Sequence, residues 1–203
     1  MRTRVLKVDA VHPDPEMIRE AAALLRRGGL VAFPTETVYG LGANLQDPQA
    51  IQELYQVKQR PFEKQATLHI TDFRQVEAEK VIVSPAAWEL MRKFWPGPLT
   101  IVLGRIDGST IGFRIPGHPV ALALLKEAGV PVIAPSANLS GGEPATQADQ
   151  VLKVFADKID MVLDGGPAPI GVSSTVVDLS GGTPRILREG ANAAEVKRFI
   201  GLG

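Results

Sequence analysis

The sequence predicts an α/β domain: a single-domain open, twisted, mixed β-sheet flanked by helices. Three observations carry that prediction. Helical and strand patterns alternate from one end of the chain to the other. The short strand-to-strand links near residue 104 and after residue 163 argue against a purely parallel sheet. The 203 residues, 45% of them hydrophobic, hold no internal repeat, low-complexity tract or linker. One domain spanning 1–203 is therefore expected, large enough to bury roughly 70% of its unfolded surface without a staple.

Each element has its own local reason. Val5 to Val8 reads as a first strand. Asp14-Pro15-Glu16 starts a helix with a capping oxygen, a proline at the first helical position and an acid against the dipole. Ile18, Ala21, Ala22 and Leu25 give it one apolar face, and Gly28-Gly29 stops it. Leu30 to Phe33 is a strand. Asp47-Pro48 opens a second helix carrying Ile51, Leu54 and Tyr55, and Thr67 to Ile70 reads as a strand. Ser84-Pro85 opens a helix through Trp88, Met91 and Phe94. Leu99 to Leu103 and Ile111 to Ile115 are strands, antiparallel neighbours by their short link. His118 to Ala128 is a helix ended by Gly129, and Val130 to Ala134 a strand. Thr146 is expected to cap a helix running to Ala156. Met161 to Leu163, Thr175 to Leu179 and Arg185 to Leu187 read as short strands. Asn192 with Glu195 resembles a capping box for a last helix.

Composition excludes several function classes. There is no cysteine, which removes disulfides, thiolate metal sites and a cysteine nucleophile. Lys plus Arg is 22 and Asp plus Glu is 22, so no polybasic nucleic-acid binder is indicated, although a local basic groove is compatible. Aromatic residues, at 5%, are too sparse for a stacking platform. No targeting segment or membrane span is evident, the longest clean apolar run being Val120 to Leu125, and the expected location is cytoplasmic. A phosphate-binding G-x-x-x-x-G-K-[ST] loop is missing, Gly40-Leu41-Gly42 lacks the third glycine of a dinucleotide fingerprint, and the three histidines lie far apart at 12, 69 and 118.

The polar loops are more informative. Pro34 to Gly42 (PTETVYGLG) directly follows a strand, where α/β sheets open their ligand crevices. It is either a glycine-hinged turn or a ligand loop. Lys58, Arg60 and Lys64 place three cations in seven residues, either as compensation of a helix dipole or as an anion clamp. Arg114 sits inside an apolar strand, as one half of a structural ion pair or as a fork for a ligand carboxylate. Ala134 to Gly142 (APSANLSGG) follows a strand with small polar residues and turn formers, Gly171 to Thr175 enters a strand, and Arg188-Glu189-Gly190 leaves one. Hydroxyls, amides and cations at many strand ends suit a ligand with both phosphate and carboxylate groups.

PTETVYGLG (34–42), KQRP with Lys64 (58–64), FWPGPLT (94–100), FRIPGHP (113–119), PSANLSG (135–141), STVVD (174–178) and ILREG (186–190) occur in this order. In these blocks the chain closely resembles the YrdC/TsaC-type L-threonylcarbamoyl-AMP synthases, over roughly residues 30–190. The resemblance implies a YrdC-like α/β fold with a positively charged concave surface. It implies a nucleotidyltransferase that condenses L-threonine, bicarbonate and ATP to threonylcarbamoyl-AMP and pyrophosphate. It implies Mg²⁺ with the ATP, and downstream proteins that transfer the threonylcarbamoyl group to tRNA to give the t6A modification. Carried over by position, Thr37, His69, Arg114, Ala134 and Ser174 would contact L-threonine. Arg60, Lys64, Thr110, Ser136, Asn138, Pro144 and Arg188 would line the ATP site, and Lys58, Arg60 and Lys64 would be the catalytic cations. No metal ligands are assigned. Ser173 stands where the family often has Glu, and Gln65-Ala66 where it often has Pro-Leu, which affects local loop geometry. The chain resembles the short form without a C-terminal domain. Two rivals are a tRNA or double-stranded-RNA-binding module without catalysis, and a dihydroxybutanone-phosphate-synthase-like acidic metal site, for which Glu36, Glu63 and Glu143 are poorly arranged.

Overall fold

A computed structural model describes residues 2–202 of the chain. Strand β1 (Arg4–Lys7) leads into helix α1 (Pro15–Arg26), then β2 (Val31–Phe33), β3 (Gly40–Asn44), α2 (Pro48–Val57), β4 (Leu68–His69), α3 (Arg74–Glu77) and α4 (Pro85–Phe94). The hairpin β5 (Leu99–Gly104) and β6 (Thr110–Arg114) follows, then α5 (Pro119–Ala128), β7 (Val132–Ile133), α6 (Ala148–Phe155), β8 (Met161–Asp164), β9 (Thr175–Asp178), β10 (Arg185–Arg188) and α7 (Ala193–Phe199). The strands join in one mixed sheet of order β1-β8-β2-β3-β7-β4-β6-β5-β9-β10.

The helix starts are set locally. The Asp14 carboxylate accepts from Glu16 N, the Asp47 carboxylate from Gln49 N and Ala50 N, and the Ser84 hydroxyl from Ala87 N, each with proline next in sequence. Gly129 ends α5 in the left-handed conformation that glycine adopts without strain. The two faces of the sheet bury different side chains of the same strand. Val31 and Phe33 of β2 pack with α1 and α5, whereas Ala32 faces the larger core under α2, α4 and α6. Leu54, Leu90, Met91 and Phe155 anchor those helices there.

The mixed sheet agrees with expectation, and β5 pairs antiparallel with β6. Other details differ. β3 was not foreseen as a strand: Gly40 to Gly42 pair with β2, and Ala43 and Asn44 with β7, rather than extending the loop. The short helix α3 was also unforeseen. The link after 163 is no hairpin, because β8 lies between β1 and β2 whereas β9 lies between β5 and β10. Thr146 does not cap α6: Gln147 holds the cap position, and the Thr146 hydroxyl and amide both bond the Gln150 side chain. Asn192 makes no capping hydrogen bond, since its backbone is left-handed. Glu195 pairs with Lys93 at 3.3 Å instead.

Close backbone approach fixes the last strand crossing. A Cβ on Gly190 would stand 2.1 Å from Ser173 O and 2.6 Å from Ser174 O. Ala191 N donates to Ser173 O at 2.9 Å, and the Thr175 hydroxyl donates to Ala191 O at 2.6 Å. Gly181, by contrast, has open space around it. Gly190→Ala is expected to destabilise by at least about 2 kcal/mol in urea unfolding, and Gly181→Ala to stay within about 0.5 kcal/mol.

Candidate active site

A cleft opens where the strand ends of the sheet's middle converge, lined by segments distant in sequence. The loop between β2 and β3 brings Thr35, Val38 and Tyr39; the turn after α2 brings Arg60 and Gln65; β4 brings His69, and β6 brings Arg114. The loop after β7 adds Ala134, Pro135 and Ser136, the segment entering β9 adds Ser173 and Ser174, and β10 ends at Arg188. The register does the placing. His69 and Arg114 are partners in the parallel β4–β6 pair, and Gly40 bridges Ser136.

Arg114 is almost wholly buried, with 6% of its side chain exposed, and Glu36 is its counter-ion at 2.7 Å. Its Nη2 also donates to the Thr37 hydroxyl at 2.8 Å, and its Nε to Gly97 O at 3.2 Å. Thr37 in turn bonds the Thr35 hydroxyl at 2.9 Å. Both readings of Arg114 from sequence thus meet in one residue. It is half of an ion pair, and its Nη1, which bonds no protein atom, remains for the cleft that Arg114 lines. Glu36 Oε2 is buried without a hydrogen-bond partner.

On the opposite wall the Arg188 Nε donates to Ser174 O and its Nη2 to the Ser174 hydroxyl, both at 3.0 Å. That hydroxyl also bonds Thr100 at 2.9 Å. Burial, followed by the nearby guanidiniums of Arg114 and Arg60, holds the Arg188 pKa below its ordinary value. Arg60 itself is tied at the rim, its Nε donating to Lys64 O at 2.8 Å and its Nη2 to Gln65 O at 2.9 Å. Three arginines therefore surround a space whose lining holds no Asp or Glu, with Glu36 alone behind it. That is a site for an anion with several negative oxygens.

His69 is neutral at physiological pH: burial, reinforced by Arg114, lowers its pKa to about 3. Its Nδ1 lies 3.3 Å from Thr67 O and donates there, which leaves Nε2 as an acceptor.

Arg60, His69, Arg114, Ala134, Ser136, Ser174 and Arg188 thus come together on the cleft wall. The other candidates stand elsewhere. Thr37 lies behind Arg114 and orients it. Lys58 is buried, its ammonium on the carbonyls of Ser136 (2.6 Å) and Asn138 (2.5 Å). Asn138 serves its own loop, its amide donating to Leu139 O and Gly142 O. Lys64 is exposed beyond Arg60, and neither Thr110 nor Pro144 is among the lining residues. Thr35, Thr67 and Thr100 were missed as wall residues. Thr100 reads as part of an apolar strand, and its hydroxyl meets Ser174 only because β5 lies beside β9.

Comparison with known proteins gives a consistent answer. The family model for Sua5/YciO/YrdC, described as "Telomere recombination", matches residues 23–190. A threonylcarbamoyl-AMP synthase of Bacillus subtilis (strain 168) is 43% identical over 199 residues, covering 93% of this chain and 57% of the relative. The crystal structure of Pyrococcus abyssi Sua5 complexed with L-threonine is 40% identical, with a TM-score of 0.92 over 98% of this chain and 61% of the other. The chain thus spans less than two thirds of either protein. A Mycobacterium tuberculosis (strain ATCC 25618 / H37Rv) relative is 37% identical over 196 residues and is matched over 89% of its own length, with 90% of this chain aligned. The fold, the ordered loop blocks and these likenesses agree: the chain belongs to the Sua5/YciO/YrdC family.

Proposed function

We propose that the chain is an L-threonylcarbamoyl-AMP synthase, which joins L-threonine, bicarbonate and ATP and releases pyrophosphate. The observation that carries this reading is the cleft with three guanidiniums and no lining carboxylate. The relatives' names and the neighbour complexed with L-threonine support threonine as one substrate, and ATP and bicarbonate are consistent with the name.

In this reaction the threonine amine forms a carbamate with bicarbonate, losing water. A carbamate oxygen then attacks the α-phosphorus, and the bond to the β-phosphate breaks with its electron pair leaving on pyrophosphate. No protein nucleophile is needed, so the chain's work is positioning and charge stabilisation. Arg114 holds the amino-acid carboxylate through Nη1. Neutral His69 accepts from the substrate's hydroxyl or amine at Nε2, which a protonated imidazole could not do. Arg60 and Arg188 hold the phosphates, while the Ser136 hydroxyl is spent on Asn138 Oδ1 at 2.5 Å. Seating the carbamate between the cleft walls limits its exposure to water.

Mg²⁺ neutralises the nucleotide's phosphates when bound. The described residues contain no group of three or more acidic or histidine side chains placed to hold a metal. The ion therefore fits as part of the MgATP substrate rather than as a resident of the protein. Downstream proteins that pass the threonylcarbamoyl group to tRNA complete the reading, with a cytoplasmic location. Among the described residues no helix is long and apolar enough to cross a membrane.

Pyrophosphate release that requires ATP, threonine and bicarbonate together tests the reading. Release without threonine or bicarbonate, or no release with salt-sensitive tRNA binding, overturns it. Arg114→Lys should raise the KM for threonine about 10- to 100-fold, the scale of a charge-assisted hydrogen bond, and move the KM for ATP far less. Arg60→Ala should do the reverse. Because His69 is already neutral, threonine affinity by calorimetry is expected to stay flat from about pH 5 to about pH 8. A tenfold loss on acidification through about pH 6.5 would mean that this imidazole titrates as if exposed.

A further inference from the structure

Five neighbouring strands each bring one polar side chain to the cleft. In the order β4-β6-β5-β9-β10 these are His69, Arg114, Thr100, Ser174 (at the entry to β9) and Arg188. The chemistry above has no task for Thr100, which stands in the middle of this row. β5 and β6 pair Ile101 with Phe113, and both of these turn into the core. Thr100 and Arg114, the next residues along, therefore lie side by side on the opposite face, toward the cleft. β5 also pairs in parallel with β9, Leu99 opposite Thr175, which brings Ser174 to the other side of Thr100.

A count of hydroxyl protons sets Thr100 and Ser174 apart from the other buried hydroxyls at the site. Thr35 donates to Val38 O at 2.7 Å, so the Thr37 proton goes to Thr35 at 2.9 Å, and Tyr39 donates to Gly166 O at 2.7 Å. Each of those protons ends on a protein oxygen. Thr100 and Ser174 are both 3% exposed, and their hydroxyls share one bond of 2.9 Å. The pair owns two protons and that bond uses one. The other meets no acceptor among the described residues, and both side chains line the cleft. Arg188 sets which proton is left over. Its Nη2 donates to Ser174 Oγ at 3.0 Å, and a hydroxyl that accepts from a guanidinium is itself the stronger donor. Thr100 then fills the second lone pair of Ser174 Oγ, and the Ser174 proton faces the cleft.

We propose that Thr100 is a positioning residue for the amino-acid substrate: by donating to Ser174 Oγ it turns the Ser174 proton onto the carboxylate oxygen that Arg114 leaves free. The inference rests on the reading that the cleft takes L-threonine. A guanidinium grips both oxygens of a carboxylate only with two free nitrogens. Arg114 has one, Nη1, since its Nε and both Nη2 protons are bonded to protein. The second oxygen therefore needs a donor from the neighbouring strands, and the spare hydroxyl proton stands there. Without the Thr100 hydroxyl, Ser174 keeps its bond from Arg188, but its proton is free to turn to the vacated side.

Steady-state pyrophosphate release by the whole chain tests this. Thr100→Val keeps the branched shape, whose methyl would stand 3.5 Å from a Cβ on Gly112, and removes only the hydroxyl. It should raise the KM for threonine about 3- to 10-fold, the scale of one hydrogen bond, with kcat and the KM for ATP within about twofold. Thr100→Ser restores the hydroxyl and should return the KM for threonine to within about twofold of wild type. Ser174→Ala should raise that KM at least as far as Thr100→Val, and adding Thr100→Val to it should change nothing more, because nothing is left to position. Thr100→Ala serves as a second hydroxyl-free variant should the valine protein not fold. An unchanged KM for threonine in Thr100→Val overturns the proposal and leaves the synthase reading intact. So does a Thr100→Val penalty that persists in full beside Ser174→Ala, or one that falls equally on threonine and ATP. A wild-type protein that releases no pyrophosphate with threonine and bicarbonate overturns both.

Discussion

A guanidinium carried into the interior of a sheet must be held on several sides, and the way Arg114 is held organises the cleft. Its counter-ion comes from the loop after β2, a hydroxyl acceptor from the same loop, and a carbonyl from the turn before β5. Removing either half of such a pair leaves a bare buried charge, typically at a cost of about 3–5 kcal/mol. The pair is weak evidence for stability, since apolar residues could fill that space as well. Its effect is orientation. With Nε and both Nη2 protons bonded to protein, Nη1 is the donor left for the cleft, and Thr37 and Thr35 are fixed in consequence.

The opposite wall is built differently. Arg188 is fastened to Ser174, and Ser174 to Thr100, by neutral hydrogen bonds rather than by an acid. Three guanidiniums are thus brought together against a single carboxylate. Each of the two uncompensated ones reduces the others' comfort, which is the electrostatic strain that an anionic ligand relieves on binding. Lys58 extends the same imbalance one layer further in.

Legibility in the sequence followed how local the cause is. The starts of α1, α2 and α4 were readable because Asp-Pro and Ser-Pro carry the cap and the fixed φ in adjacent residues. β3 was not readable, because Gly40-Leu41-Gly42 has no strand propensity of its own and owes its extension to β2 and β7 on either side. Asn192 failed as a capping box because the pattern fits a β-region backbone, whereas its φ is +62°. The site was legible to the same degree. Arg114 stood out as a charge in an apolar strand, the loop blocks marked Arg60, Ser136, Ser174 and Arg188, and His69, outside every block, came only from the family resemblance. Lys58 shared a run of cations with Arg60, and nothing local distinguishes a lysine that will be swallowed by a loop some eighty residues away from one that faces water.

The sheet order has a consequence for how the molecule comes into being. β1 pairs in parallel with β8, and the Thr3 hydroxyl donates to Ile159 O, 156 residues along the chain. Arg188 closes the cleft from the far end of the sequence onto a wall begun at Thr35. During synthesis the N-terminal strand therefore waits without a partner until most of the chain has left the ribosome. Closing such distant pairs carries its entropy cost before any contact repays it, and topologies of this kind assemble slowly. The cleft is complete only when the last strand docks and brings Arg188, so a nascent or truncated chain can hold much of its core and still lack that wall.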